Sequence, residues 1–137
     1  MAATDRTRDD LNFQKKGVSV AVAPFVESEI TGDGSIFFNL PPRSVIIGIA
    51  VNVTTVSTTA SSTLDVNYNG SEVGSEIAVT VAGVIVDTVT PANAYSATGG
   101  QLVVKAGSTA PAAGDLVGEI IVQYIELDKN CGEYTTI

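Results

Sequence analysis

The sequence contains no histidine and no tryptophan, one cysteine, one methionine and only seven lysines and arginines among 137 residues. Each shortage excludes something. Without His, the usual general base at neutral pH is missing, and so is the partner that activates a Ser or Cys nucleophile. Cys131 stands alone, so it can form no intramolecular disulfide and no cysteine metal cluster. In its setting, NCGEY, it has no base beside it and reads as an inert thiol. No glycine-rich loop is followed by Lys and Ser/Thr, which removes the phosphate cradle of nucleotide-binding enzymes. Asp65, Asp87 and Asp115 are the acids from which a glycosidase pair would be drawn, but acids at turns and on solvent faces are commonplace. The chain is not expected to be an enzyme.

The scarcity of basic residues is uneven. Net charge is −8, which argues against a nucleic-acid binder, because phosphate contacts need clustered Lys and Arg. Yet Arg6, Arg8, Lys15 and Lys16 fall within the first sixteen positions, against Asp5, Asp9 and Asp10, while positions 17–137 hold three basic and twelve acidic residues. Residues 1–16 are therefore set apart, either as a solvated tail or as an arm that orders on a partner surface. That opening stretch has no apolar core and does not read as a secretory signal. The apolar run Val45–Val51 is interrupted by Gly48 and is too short to span a bilayer. A soluble protein, made and assembled inside a cell, is the expectation.

The 45% of the chain that is hydrophobic is mostly Val, Ile and Ala. Val, Ile and Thr are stiff at Cβ and suit a pleated surface. From Val18 onward a period of two dominates, as half-buried strands require. Val18, Val20 and Val22 alternate with Ser19, Ala21 and Ala23 until Pro24 closes the run. Ile36–Leu40 follows the turn TGDGS and ends at Pro41-Pro42. SVIIGIAVNVTTV is the longest strand, with Val45, Ile47, Ile49, Val51 and Val53 as its core face. Further strands are expected at TLDVNY, 77–81, 84–89, 102–104 and 117–125. The last is apolar on both faces, as a central or interface strand would be. No segment shows a capped helical period. The pattern predicts one all-β domain over 17–137, an antiparallel β-sandwich or jelly-roll-like fold of about eight strands, with 1–16 as an extended arm.

One motif stands out. DVNYNGSEVGSE, residues 65–76, matches the calcium loop pattern D-x-[DN]-x-[DN]-G-x5-E through Asp65, Asn67, Asn69, Gly70 and Glu76. In a calcium loop these side chains converge on an ion about 2.4 Å away. On a strand, residues two apart lie on one face but are separated by roughly 6.6 Å. The flanks alternate instead of forming helices, and Asn69-Gly70 is a strong hairpin signal. A strand end and turn is the reading adopted, with calcium at Asp65, Asn67, Asn69 and Glu76 as the alternative and no cofactor otherwise expected. The Asn-x-Ser/Thr triplets at Asn52 and Asn69 are read as coincidence in a Ser/Thr-rich β protein.

The run LPPRSVIIGIAVNVTTVSTTASSTLDVNYNGSEVGSEIAVTVAGV, with GEIIVQYIEL near the C-terminus, resembles small β-sandwich virion proteins of tailed bacteriophages. A Leu-Pro turn leads into a long Val/Thr strand, a Ser/Thr/Ala loop, a TLDV-x-x-N-G strand end and an AGV return. The resemblance covers roughly residues 38–127. It implies a structural protein located in the virion, of the capsid decoration or cement type, assembled in the host cytoplasm. Its partners would be the major capsid protein and other copies of itself, a trimer before a dimer, with no nucleic acid and no membrane. The arm would then dock on the lattice through Arg6, Arg8, Lys15 and Lys16, with Phe13 as apolar anchor. Two alternatives remain: a tail or neck component, and a carbohydrate- or calcium-binding β-sandwich module. A sugar platform would have to use Tyr95 and Tyr134, because Tyr68 and Tyr124 fall on apolar faces.

Overall fold

In the computed structural model, residues 17–127 are described, and they fold as two antiparallel sheets stacked face to face. The strands are β1 Ser19–Val26, β2 Ser35–Leu40, β3 Ser44–Thr55, β4 Thr63–Tyr68, β5 Ser71–Ala78, β6 Gly83–Asp87, the short β7 Tyr95–Ser96, β8 Gly100–Ala106 and β9 Val117–Glu126. One sheet runs β1-β9-β3-β6, with β7 also on β3, and the other runs β2-β8-β4-β5. No α-helix occurs among the described residues; the two helical segments, Glu27–Glu29 and Pro91–Asn93, are single 3-10 turns.

The pairing is nested. Setting β7 aside, the first strand pairs with the last, the second with the seventh, the third with the sixth, and the fourth with the fifth. Every one of these pairs is antiparallel. Only the innermost is a tight hairpin. Its turn is Asn69-Gly70, both at positive φ (51° and 85°), which joins Tyr68 directly to Ser71. These are the backbone values that a two-residue turn needs to match strand twist.

The core lies between the sheets. Ile49, Val51 and Val53 of β3 and Ile120 and Val122 of β9 face Leu64, Val66 and Tyr68 of β4, Leu102 and Val104 of β8 and Val73 and Ile77 of β5, all 2% exposed or less. Burying each Val, Leu or Ile contributes about 1.5–3 kcal/mol, so these side chains dominate stability. Phe25 of β1 closes one end, lying over Gly118 of its neighbour β9. Tyr68 is the one fully buried tyrosine among the described residues, and its hydroxyl donates to the Ser44 carbonyl at 3.3 Å. Burial pushes the Tyr68 phenol above its usual range, against the lowering effect of a hydrogen bond with Ser96 and with a smaller upward push from Tyr95.

Two expectations need correction. The alternation of β3 does not keep one phase, because the register slips between Ile46 and Gly48. That bulge leaves Ile47 44% exposed, and the buried positions are Ser44 and Ile46 before it, then Ile49, Val51 and Val53 after it. A bulge puts two residues opposite one and reverses the inward face, which a strict period of two cannot anticipate. Pro24 also does not close the first strand; β1 continues through it to Val26. Since β1 is at the edge of its sheet, a residue without an N–H is tolerated there.

Candidate functional site

The calcium-like segment lies on three different pieces of backbone. Asp65 and Asn67 are on β4, Asn69 is in the turn, and Glu76 sits near the far end of β5. From Asp65 to Asn69 an extended strand covers about 13 Å, so these side chains do not converge. Asn69 instead donates from Nδ2 to Ser96 Oγ at 3.3 Å and from its backbone N–H to the Gln101 carbonyl at 2.9 Å. Asn67 Oδ1 is buried without a hydrogen-bond partner.

Asp65 and Glu76 do meet, through a bulge. The register passes from Leu64↔Ile77 to Val66↔Gly74, leaving Ser75 and Glu76 together opposite Asp65. Glu76 adopts φ +53°, an unusual value for a residue with a side chain. Its N–H donates to Asp65 Oδ1 at 2.8 Å. Its own carboxylate then accepts from the Ser108 N–H (2.9 Å), the Ser108 hydroxyl (2.7 Å) and the Thr63 hydroxyl (2.9 Å). Those bonds, Ser108 foremost, hold the Glu76 carboxyl below the usual carboxylate range. The acids of the pattern thus fasten the loop after β8 to the end of β4. Among the described residues, no group of three or more Cys, Asp or Glu is placed to hold a metal ion.

The arm residues Arg6, Arg8, Phe13, Lys15 and Lys16 lie outside the described residues, as do Cys131 and Tyr134. Tyr95, the other candidate for stacking, is 46% exposed. Among the described residues, no helix is long and apolar enough to cross a membrane.

The two outward faces of the sandwich differ sharply. That of the four-stranded sheet carries Thr63, Asp65 and Asn67 on β4, Gln101 and Lys105 on β8 and Glu72 on β5, with Ile36 and Val103 as an apolar pair at one side. The other is mainly apolar, with Glu119, Asn52 and Gln123 set among its aliphatic side chains. On β1 the even positions point out, so Val20, Val22 and Val26 are 55%, 50% and 46% exposed, with Val18 just before the strand at 53%, while Ala21, Ala23 and Phe25 point in. Register carries the pattern across the sheet: Val22 pairs with Ile121, Ile121 with Ala50, and Ala50 with Val86, making one row over four strands. Val84 and Val86 on the far edge are 63% and 76% exposed. Among the described residues Glu119 is the one charge in this field, and it accepts from Asn52 Nδ2 at 3.2 Å. Gly48, Ala50, Val86, Ile121 and Gln123 line a shallow depression near its centre.

Sequence reasoning found the double apolar character of β9 but not this face. The strand is central and its second apolar side is still turned outward, so one observation had two causes. In β1 the large residues of the alternation face out and the small ones face in, the reverse of the usual signal.

No family model matches the chain, and no curated protein matches it. Among solved structures it is similar to a chain titled "Cyanophage Pam1 capsid asymmetric unit", with 16% identity and a TM-score of 0.48 over 82% of this chain and 85% of that one.

Proposed function

We propose that this chain is a structural protein of a tailed-bacteriophage virion, and within that class a decoration protein that binds the outside of the capsid lattice and stabilises it. The observation that carries the reading is the nested pairing of eight strands. Such nesting supports reading the sandwich as a jelly roll, an architecture used by viral capsid and lectin domains. The sequence resemblance over residues 38–127 selects the viral use. Composition agrees, since a chain without His and with a single Cys lacks the usual means of catalysis.

In this reading the major capsid protein is the partner, and Arg6, Arg8, Lys15 and Lys16 with Phe13 dock on it. Their charge is opposite to that of the remaining chain, so the arm and the domain present different surfaces to a lattice. Many copies on a repeating lattice gain effective concentration, more so as a homo-oligomer, for which three copies is the preferred number. No cofactor is needed.

Binding of the full chain and of a chain lacking residues 1–16 to purified capsids tests the proposal. The full chain is expected to bind and to raise the temperature at which capsids open, and the shortened chain to stay folded without binding. Equal binding by both would remove the arm from the argument. Copy number in intact virions, counted by mass spectrometry, separates decoration from tail or neck. Hundreds of copies fit the first, and a small multiple of three or six the second.

A further inference from the structure

We propose that the outward face of the five-stranded sheet is the surface on which a second copy of this chain docks, centred on the row Val22–Ile121–Ala50–Val86. This deepens the homo-oligomer part of the function above and is independent of where in a virion the protein sits.

Size is the first argument. Four strands about 4.8 Å apart and roughly eight residues long give a projected area of about 500 Å². The accessible area of a side-chain surface exceeds its projection, which brings this face to the order of the ~800 Å² that each partner contributes to a stable interface. Contiguous apolar patches of this extent on soluble proteins mark interaction sites. Val86, at 76% exposed, gains nothing from the fold of one copy.

Charge selects the occupant. Beyond residue 16 the chain holds twelve acidic and three basic residues, so two copies repel over most of their surface. Here the repulsion is least. Among the described residues Glu119 is the one charge in the field, and it accepts a hydrogen bond from Asn52. A copy of the same chain that docks on this face opposes one carboxylate from each side, where the acidic remainder of the domain would oppose many. A strongly basic partner would instead find its complement on the acidic remainder of the domain. Depletion of charge in the middle of a patch is also the compositional mark of an interface core.

Shape completes the case. Gly48 has no side chain, and with Ala50 it forms the low centre of the field, between the projecting valines of β1 and those of β6. The Gln123 side chain reaches over Gly48, its Oε1 2.7 Å from where a Cβ would stand, so the hollow is floored by a glycine and edged by one flexible polar group. A surface with both the projections and the hollow can receive itself, and such a contact between identical patches is two-fold, so this face joins copies in pairs and not in the threes preferred above.

Sedimentation velocity on the full chain over a concentration series tests the proposal without any capsid. The wild type is expected to sediment as an oligomer, its mass giving the number of copies. Val86→Asp and Val22→Asp, on opposite edges of the sheet, are each expected to weaken association about a hundredfold or more, because each places an unpaired carboxylate in an apolar contact. Both positions are at least half exposed, so circular dichroism and melting temperature should stay near wild type. Gln101→Asp, on the outward face of the other sheet, should leave the oligomer unchanged. A wild type that stays at the mass of one chain throughout overturns the proposal, and so do Val86→Asp and Val22→Asp variants that keep the oligomer. A monomeric wild type whose Val86→Asp variant loses capsid binding would also overturn it and assign the face to the lattice. An oligomer that dissociates as expected but never binds capsids would uphold this inference and reject the decoration function.

Discussion

Replacing Gly118 by alanine measures how tightly β9 is held between its neighbours. Gly118 pairs with Phe25 on β1 and with Val53 on β3. A Cβ at this position would come within 2.5 Å of the Asn52 carbonyl oxygen and 2.9 Å of Phe25 Cζ. Ordinary contact begins near 3.4 Å, so about 0.9 Å must be found by moving the oxygen alone. Phe25 is 1% exposed, and Asn52 lies in mid-strand with β9 on one side and β6 on the other. Overpacking of a core costs typically about 1–3 kcal/mol, and a backbone obstacle places this case near the upper end. Alanine's smaller freedom in the unfolded chain returns about 0.4–1 kcal/mol. The net expectation is a loss of about 1.5–2.5 kcal/mol, which for a domain of this size lowers the melting point by roughly 6–10 °C. Urea denaturation of wild type and variant, read by circular dichroism, gives the number directly. Gly32→Ala is the control, because nothing lies within 4 Å of the added atom. Should Gly118→Ala match Gly32→Ala to within about 0.5 kcal/mol, the locked register of β9 between β1 and β3 would be refuted.

Three further outcomes follow from the polar groups. Glu76 has its carboxyl held below the usual range, so the stability it contributes is present above the unfolded value near 4.5 and lost as pH falls through the folded one; the fall in melting temperature below pH 4.5 should be shallower in Glu76→Gln. The Tyr68 phenol is raised, so its contribution is complete below pH 10 and is lost as pH climbs through the folded value; Tyr68→Phe should cost about 1 kcal/mol at neutral pH and flatten the alkaline limb of a stability profile. Calcium should leave the melting temperature where chelator leaves it, because Asp65 and Glu76 already hold Glu76 N–H, Ser108 and Thr63 while Asn69 lies at the other end of β4; a rise of several degrees would place a cation at residues 65–76.

Much of the sandwich was legible because its rules are local. Alternation marks a strand wherever one side is buried, and Asn69-Gly70 announces a two-residue turn through the positive φ both residues accept. What escaped was set by contacts across the chain. The inward side of β1 depends on β9, about a hundred residues away, and its valines face out because Phe25 needs the space over Gly118. The slip at Ile47 is fixed by β9 as well, since Gly48 must lie beside Gln123. The pattern at 65–76 was a correct list of residues with the wrong geometry. Its acids were selected by a bulge and a loop anchor, which need the same residue types as a calcium loop but not their convergence.

The place of β9 in the sheet has a consequence for the chain as it is made. Of the described strands β9 is the last to leave the ribosome, yet β1 and β3 both wait to bond to it. With synthesis at about 5–20 residues per second, the hundred or so residues between β1 and its mate mean a delay of roughly 5–20 s. Throughout that interval β1 has neither side of its backbone paired within its sheet and shows apolar side chains on both faces. A stalled or truncated translation product is therefore a sticky, open-edged ribbon, and nascent-chain chaperones are the first surface it meets.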